Sequence, residues 1–218
     1  MNRRARSPED KQRREEDLLD AACALALELG GVRHLTLAAV TERAGLHPSG
    51  FRRYFASKEE LLLELAERGW SEWCDILTAR LTGRHDMGPA ETAKVISATI
   101  SSLPLFCDLL SHVPLSVEGD VSLSRARRYK ANSFASYDVI IGALRTASTL
   151  NKAQAEDLIA VMLALTANLW QLSHPTDRMR QLYAEVPRWG HAALDFEPRL
   201  ARLMTATATG LTATGDSG

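Results

Sequence analysis

The sequence predicts an all-α protein, with an amino-terminal three-helix domain carrying a helix-turn-helix and a larger helical domain behind it. Three observations predict this. Apolar residues recur at helical spacing in one segment after another, and no run alternates as a half-buried strand would. Capping residues and prolines also stand repeatedly where such segments begin. At 218 residues, 45% hydrophobic and 24% charged, the chain suits one larger globular domain or two small ones with a real core.

The first helix starts at Ser7-Pro8-Glu9-Asp10, where serine caps, proline takes the first position and the acids face the positive helix end. Leu18, Ala22, Leu25, Ala26 and Leu29 form its apolar stripe until Gly30-Gly31 stops it. Arg3, Arg4 and Arg6 precede it as a flexible basic arm, either lying along nucleic acid or simply solubilising the chain.

The second and third helices are very short, so a packed neighbour must hold them. Thr36 is the N-cap of Leu37 to Ala44, and Gly45 stands where the chain needs the left-handed region. His47 caps the next turn, with Pro48 at its first position. The three or four residues between them are the connection of a helix-turn-helix. On an α-helix, Phe51 and Phe55 share a core side with Leu46, while Ser49, Arg52 and Arg53 fall at i, i+3 and i+4 on a polar side. Arginine forks match phosphate oxygens and the O6/N7 edge of guanine, so this side is expected to enter the major groove of DNA. The bland alternative is an ordinary solvated face. His47 either touches DNA or only caps, and the Tyr54 hydroxyl either reaches a phosphate or packs. Thr36, Tyr54 and Lys58 are the expected holders of the DNA backbone.

Ser57-Lys58-Glu59-Glu60 is a capping box opening a long helix to about Arg80, with Leu61, Leu62, Leu65, Trp70, Trp73, Ile76 and Leu77 along it. Pro89 opens a helix to about Leu103, Pro104 and Pro114 bracket a short one, and another runs from Leu123 to about Thr149. Asn151 and Gln154 form a box-like cap on a helix that ends at His174-Pro175. After Pro187 the last helix is expected over Pro198 to Ala208. Leu158, Ile159, Met162, Leu163, Leu165 and Leu169, with Leu200, Leu203, Met204 and Leu211, make these two helices broadly apolar. Burial between two subunits in a four-helix bundle would accommodate them, as would an intramolecular core.

Residues 1–58 carry a net charge of +3 and the remainder −4, so the basic excess lies at the predicted DNA end. Cys23, Cys74 and Cys107 form no CxxC pair and read as small buried thiols. No segment reads as a leader or a membrane span, which places the protein in the cytoplasm. No nucleophile elbow, HExxH, P-loop or dinucleotide-binding motif occurs, and the histidines do not pair at ligand spacings. The expectation is therefore neither an enzyme nor a metal protein, and no cofactor. An enzyme on a helical bundle and a protein-binding adaptor are the rivals. Trp70, Trp73, Phe106, Phe134, Tyr137 and Trp170 are candidate walls of a small-molecule pocket, with His112, Asn132 and Asn168 as polar anchors, unless these aromatics are core.

Thr36, Ala44-Gly45-Leu46, Phe51, Tyr54-Phe55 and Ser57-Lys58-Glu59-Glu60-Leu61 together resemble the helix-turn-helix of TetR-family transcriptional regulators. The similarity spans about residues 14–65. His47 replaces the family's usual serine or threonine cap, Ser49 stands where glycine is frequent, and Arg52 where a phosphate-contacting tyrosine is common. The resemblance implies a homodimer whose divergent carboxy-terminal domain receives a small-molecule effector. It implies a sequence-specific DNA-binding regulator, a repressor released from a pseudo-palindromic operator. The expected organisation is a DNA-binding domain over 8–66 (helix-turn-helix about 37–54), an effector and dimerisation domain over 67–210, and a disordered tail over 211–218.

Overall fold

The computed structural model describes residues 8–192 and 195–215, so the Arg3, Arg4 and Arg6 arm and the Ser7 cap lie outside the described residues. The described residues form no strand beyond one isolated bridge between Met87 and Ser148. Helix α1 (Pro8–Leu29) buries Leu18, Leu19, Ala22, Leu25 and Ala26 and ends at two glycines with positive φ. There the Gly31 N–H donates to the Ala26 carbonyl at 2.8 Å, a closing bond that φ near +76° at Gly30 permits without strain. Helix α2 (Leu37–Arg43) is capped by Thr36, whose Oγ1 accepts from the Ala39 N–H at 3.2 Å. Gly45 adopts φ 65°, and the Leu46 N–H then bonds back to the Thr41 carbonyl at 2.8 Å.

The spine is α3 (Lys58–Leu81), which carries the chain out of the first domain and through the second. Its cap differs by one residue from the expected box. Ser57 Oγ accepts from the Glu60 N–H at 3.2 Å, but Glu60 Oε2 reaches back to the Ala56 N–H, at 2.8 Å. The second domain continues with α4 (Pro89–Ser101), α5 (Pro104–His112), α6 (Leu123–Ala147), α7 (Lys152–Ser173), α8 (Asp177–Glu185) and α9 (Phe196–Gly215). Both halves of the Asn151–Gln154 capping box form, at 3.0 and 2.9 Å. Helix α3 packs on α6, α4 and α7 both pack on α9, and α5 packs on α7.

Two features of these helices depart from the sequence reading. The short helix α8 was not anticipated: none of its residues is buried, its start is marked by the Thr176 cap, and its apolar stripe of Met179, Leu182 and Tyr183 is only half-buried. The tail expected to be disordered from residue 211 continues as helix to Gly215, with 216–218 outside the described residues. Threonine hydroxyls along α9 satisfy carbonyls four residues back, as Thr205, Thr207, Thr209 and Thr212 all do. Ala208 is fully buried, and Gln154 Nε2 holds the Leu211 carbonyl at 3.0 Å, so tertiary contacts secure a weak helix former.

The apolar residues that suggested an intersubunit bundle are largely used within one chain. Leu158, Ile159, Met162, Leu200 and Met204 are all fully buried where α7 and α9 meet their neighbours. The outward faces of those helices carry small residues instead, including Ala160, Ala164, Ala206 and Gly210.

Candidate nucleic-acid interface

Pro48–Arg53 winds as a 3-10 turn rather than an α-helix. Proline at its first position has no N–H to give, and the Gly50 N–H closes on the His47 carbonyl at 2.7 Å. Three residues per turn change the expected face. Ser49 and Arg52 eclipse each other along the turn, and Arg53 stands about 120° around from them. Phe51 and Phe55 are both buried with ring centroids 5.7 Å apart, and they anchor this turn to the domain. They belong to the buried core that also holds Val40 and Leu61. Arg43 adds a fork onto Glu28, at 2.9 and 2.6 Å, that ties α2 to α1.

The predicted contact residues then sort by what they already touch. Arg52 and Arg53 are exposed, and neither is ion-paired among the described residues. Ser49 and His47 are exposed and joined: His47 Nδ1 lies 2.8 Å from Ser49 Oγ and accepts the Ser49 N–H at 3.3 Å. The histidine is thus the N-cap of the turn. Thr36 is exposed; its oxygen accepts at the cap while its hydroxyl proton can still be donated. Tyr54 is half-buried against the core. Lys58 is also half-buried, and its Nζ donates to the Leu35 carbonyl at 2.8 Å. Burial lowers its pKa, a shift that nearby Glu59 opposes. One of its three donors is therefore spent on bracing the turn before α2.

The six aromatic candidates for a ligand pocket do not meet around one cavity. Trp70, Trp73 and Phe106 are buried on one another, with centroids 5.5 to 6.4 Å apart. Their indole N–H groups are satisfied by Tyr129 Oη at 3.3 Å and Thr99 Oγ1 at 3.2 Å, so they form a filled core. Phe134 is 59% exposed and pairs edge-on with Tyr137 on α6. Trp170 stands apart, stacked on His174 at 3.9 Å. Of the three polar anchors, Asn132 bonds Glu67 at 3.0 Å, Asn168 faces outward, and His112 lies 3.7 Å from Asp108. Among the described residues no cluster of three His, Cys, Asp or Glu could hold a metal ion, and no single helix is long and apolar enough to cross a membrane.

Two links between the domains were not anticipated. Arg125 of α6 is nearly buried and bridges Glu64, at 3.2 Å, and Glu67 of α3. Asp108 of α5 accepts the Val32 N–H at 2.7 Å and the Gln171 amide at 2.8 Å. Burial alone would raise the Asp108 pKa, but hydrogen bonds from His112, Val32 and Gln171 together hold it below the usual carboxylate range. The signal available in the sequence was one acid inside the apolar run Leu105 to Leu110. The thiols are buried or half-buried and unpaired, and burial pushes Cys107 up to about 12.

No curated protein matches the sequence closely enough to serve as a relative. Solved structures do share the fold. A TetR transcriptional regulator from Rhodococcus sp. RHA1 superimposes with a TM-score of 0.56 at 13% identity, covering 92% of this chain and 96% of that one. A possible TetR family regulator from Streptomyces coelicolor A3(2) gives 0.56 at 17% identity, over 94% of this chain and 100% of the other. Residues 18–65 match the bacterial regulatory proteins of the tetR family, and residues 67–215 match the tetracyclin repressor-like C-terminal domain. Together the two matches span most of the chain, and the chain belongs to the TetR family of transcriptional regulators.

Proposed function

We propose that the protein is a cytoplasmic, homodimeric repressor that binds a specific operator and leaves it when a small molecule binds. The observation that carries this reading is the exposed edge of Ser49, Arg52 and Arg53 on a capped turn whose other side is locked into the core by Phe51 and Phe55. Two unpaired guanidiniums on a rigid mount suit groove recognition, because little side-chain order beyond their own must be supplied on binding. In this reading Ser49, Arg52 and Arg53 enter the major groove, Thr36, Tyr54 and Lys58 hold the backbone, and His47 orients Ser49. The outward small-residue faces of α7 and α9 join two subunits, so that two half-sites lie about 34–36 Å apart or at a related spacing. Release follows from a population shift in which ligand tilts α3 and alters the distance between the two reading edges. A coupling of ~1–3 kcal/mol changes affinity about 5- to 150-fold.

The test is selection of a binding site from genomic DNA, followed by anisotropy titrations on that site and on random duplex. Arg53→Ala costs about 1–3 kcal/mol on the selected site and relaxes base preference. Wild-type affinity falls steeply with salt, as phosphate contacts require. Equal losses on selected and random duplex would refute the groove assignment, and a flat salt response would refute DNA as the partner.

A further inference from the structure

The open volume found at the junction of the two domains has a definite chemistry. One cavity of about 300 Å³ lies between α1, α3 and the start of α5, and a second of about 160 Å³ lies between α1, the Gly30-Gly31 turn, α5 and the end of α7. They share Leu27, Pro104 and Leu105 as walls, so they adjoin along one apolar seam. Leu27 is 52% exposed there, a large apolar side chain left uncovered on α1. Asp108 and Trp170 border the inner end, with His174 stacked on the indole. Asp20, Arg68 and Glu72 border the outer end.

The charges do not cancel. Three carboxylates and a single guanidinium border the two cavities, and Arg68 is already paired with Asp20 at 3.2 Å. Asp108 is 6% exposed and is held as the anion by bonds from Val32 and Gln171 and by the His112 ring 3.7 Å away. A buried carboxylate kept ionised at a cavity wall favours a cation beside it.

We propose that this seam binds a small organic cation, a protonated amine on an apolar body, with the nitrogen at the Asp108–Trp170 end and the body against Leu27, Pro104 and Leu105. Such a ligand touches α1 and the Gly30-Gly31 turn on one side and α5 and α7 on the other. It therefore senses how the first domain sits on the second. Its effect on DNA rests on the function proposed above, whereas its binding does not.

Calorimetry on the full-length protein separates the two. Benzylamine and 2-phenylethylamine are the probes, at millimolar concentrations, beside benzyl alcohol, 2-phenylethanol and phenylacetate. Both amines bind wild type, and the alcohols and the carboxylate bind at least about tenfold more weakly. Leu27→Arg, which sets a cation into the seam from an exposed position, abolishes amine binding; Leu123→Arg, on the exposed face of α6, leaves it unchanged. Asp108→Asn weakens it at least about tenfold while keeping the shape. Absence of heat with either amine, equal binding of alcohol and amine, or undiminished binding by Leu27→Arg overturns the site. Amine binding that obeys these rules but leaves duplex affinity unaltered supports the site and overturns effector release.

Discussion

Gly69, in the middle of α3, gives the sharpest test of how the spine is seated. A Cβ at this position would lie 2.4 Å from Phe106 Cδ2 and 2.7 Å from Cγ, far inside van der Waals contact. Trp70 and Trp73 press on the ring with centroids at 5.5 and 6.4 Å, while Gly69 and Phe106 also border the cavity of about 300 Å³, so the ring can yield only in part. Gly69→Ala therefore sets two effects against each other. Alanine gains about 0.5–1 kcal/mol of helix propensity. Overpacking this contact costs about 1–3 kcal/mol. The clash wins, and a net loss of about 1–2 kcal/mol follows, which lowers Tm by about 2–8 °C for a chain of this size. The control is Gly142→Ala on the exposed side of α6, where no atom lies within 4 Å of the added carbon. That variant gains up to about 1 kcal/mol, so one substitution acts with opposite signs at two helical sites. Urea unfolding at a single protein concentration reads both. A Gly69→Ala protein as stable as wild type would show that α3 and α5 are not in this contact in solution.

Arg125→Met leaves the largely buried Glu67 carboxylate with Asn132 alone as its donor among the described residues, and breaking such a pair costs about 3–5 kcal/mol in urea unfolding; a loss below about 1 kcal/mol would mean that Arg125 is hydrated. Lys58→Ala weakens selected and random duplexes alike, and because it also removes the bond to Leu35 it lowers stability by about 1–2 kcal/mol; unchanged unfolding would place the ammonium wholly in solvent. For Asp108 the folded pKa lies below the unfolded value of about 3.9, so its stabilisation is complete above that pH and is lost as pH falls through the folded pKa. The stability gap between wild type and Asp108→Asn is thus constant near neutrality and narrows below about pH 4; a gap that widens in acid would contradict the hydrogen bonds assigned to the carboxylate.

The local features of this protein were legible because their causes lie within about one helical turn. Thr36, Ser57 and Asn151 each cap as their sequence neighbours dictate, and Gly45 turns left-handed where a side chain would strain. Apolar spacing likewise marked Phe51, Phe55 and Leu61 as inward-facing. Such signals say that a side chain is buried, not against what. The winding of Pro48–Arg53 depended on how Phe51 seats in its neighbours, and α periodicity misplaced Arg53 relative to Ser49. Trp70 and Trp73 looked equally suited to line a pocket or to fill a core, and Phe106, over thirty residues later, decided for the core. Asp108 and Val32 stand 76 residues apart, and no periodicity relates them. Order and capping of helices follow from short-range sterics and hydrogen bonds. Which faces meet, and where an unfilled seam with uncancelled charge remains, follows only from packing the whole chain at once.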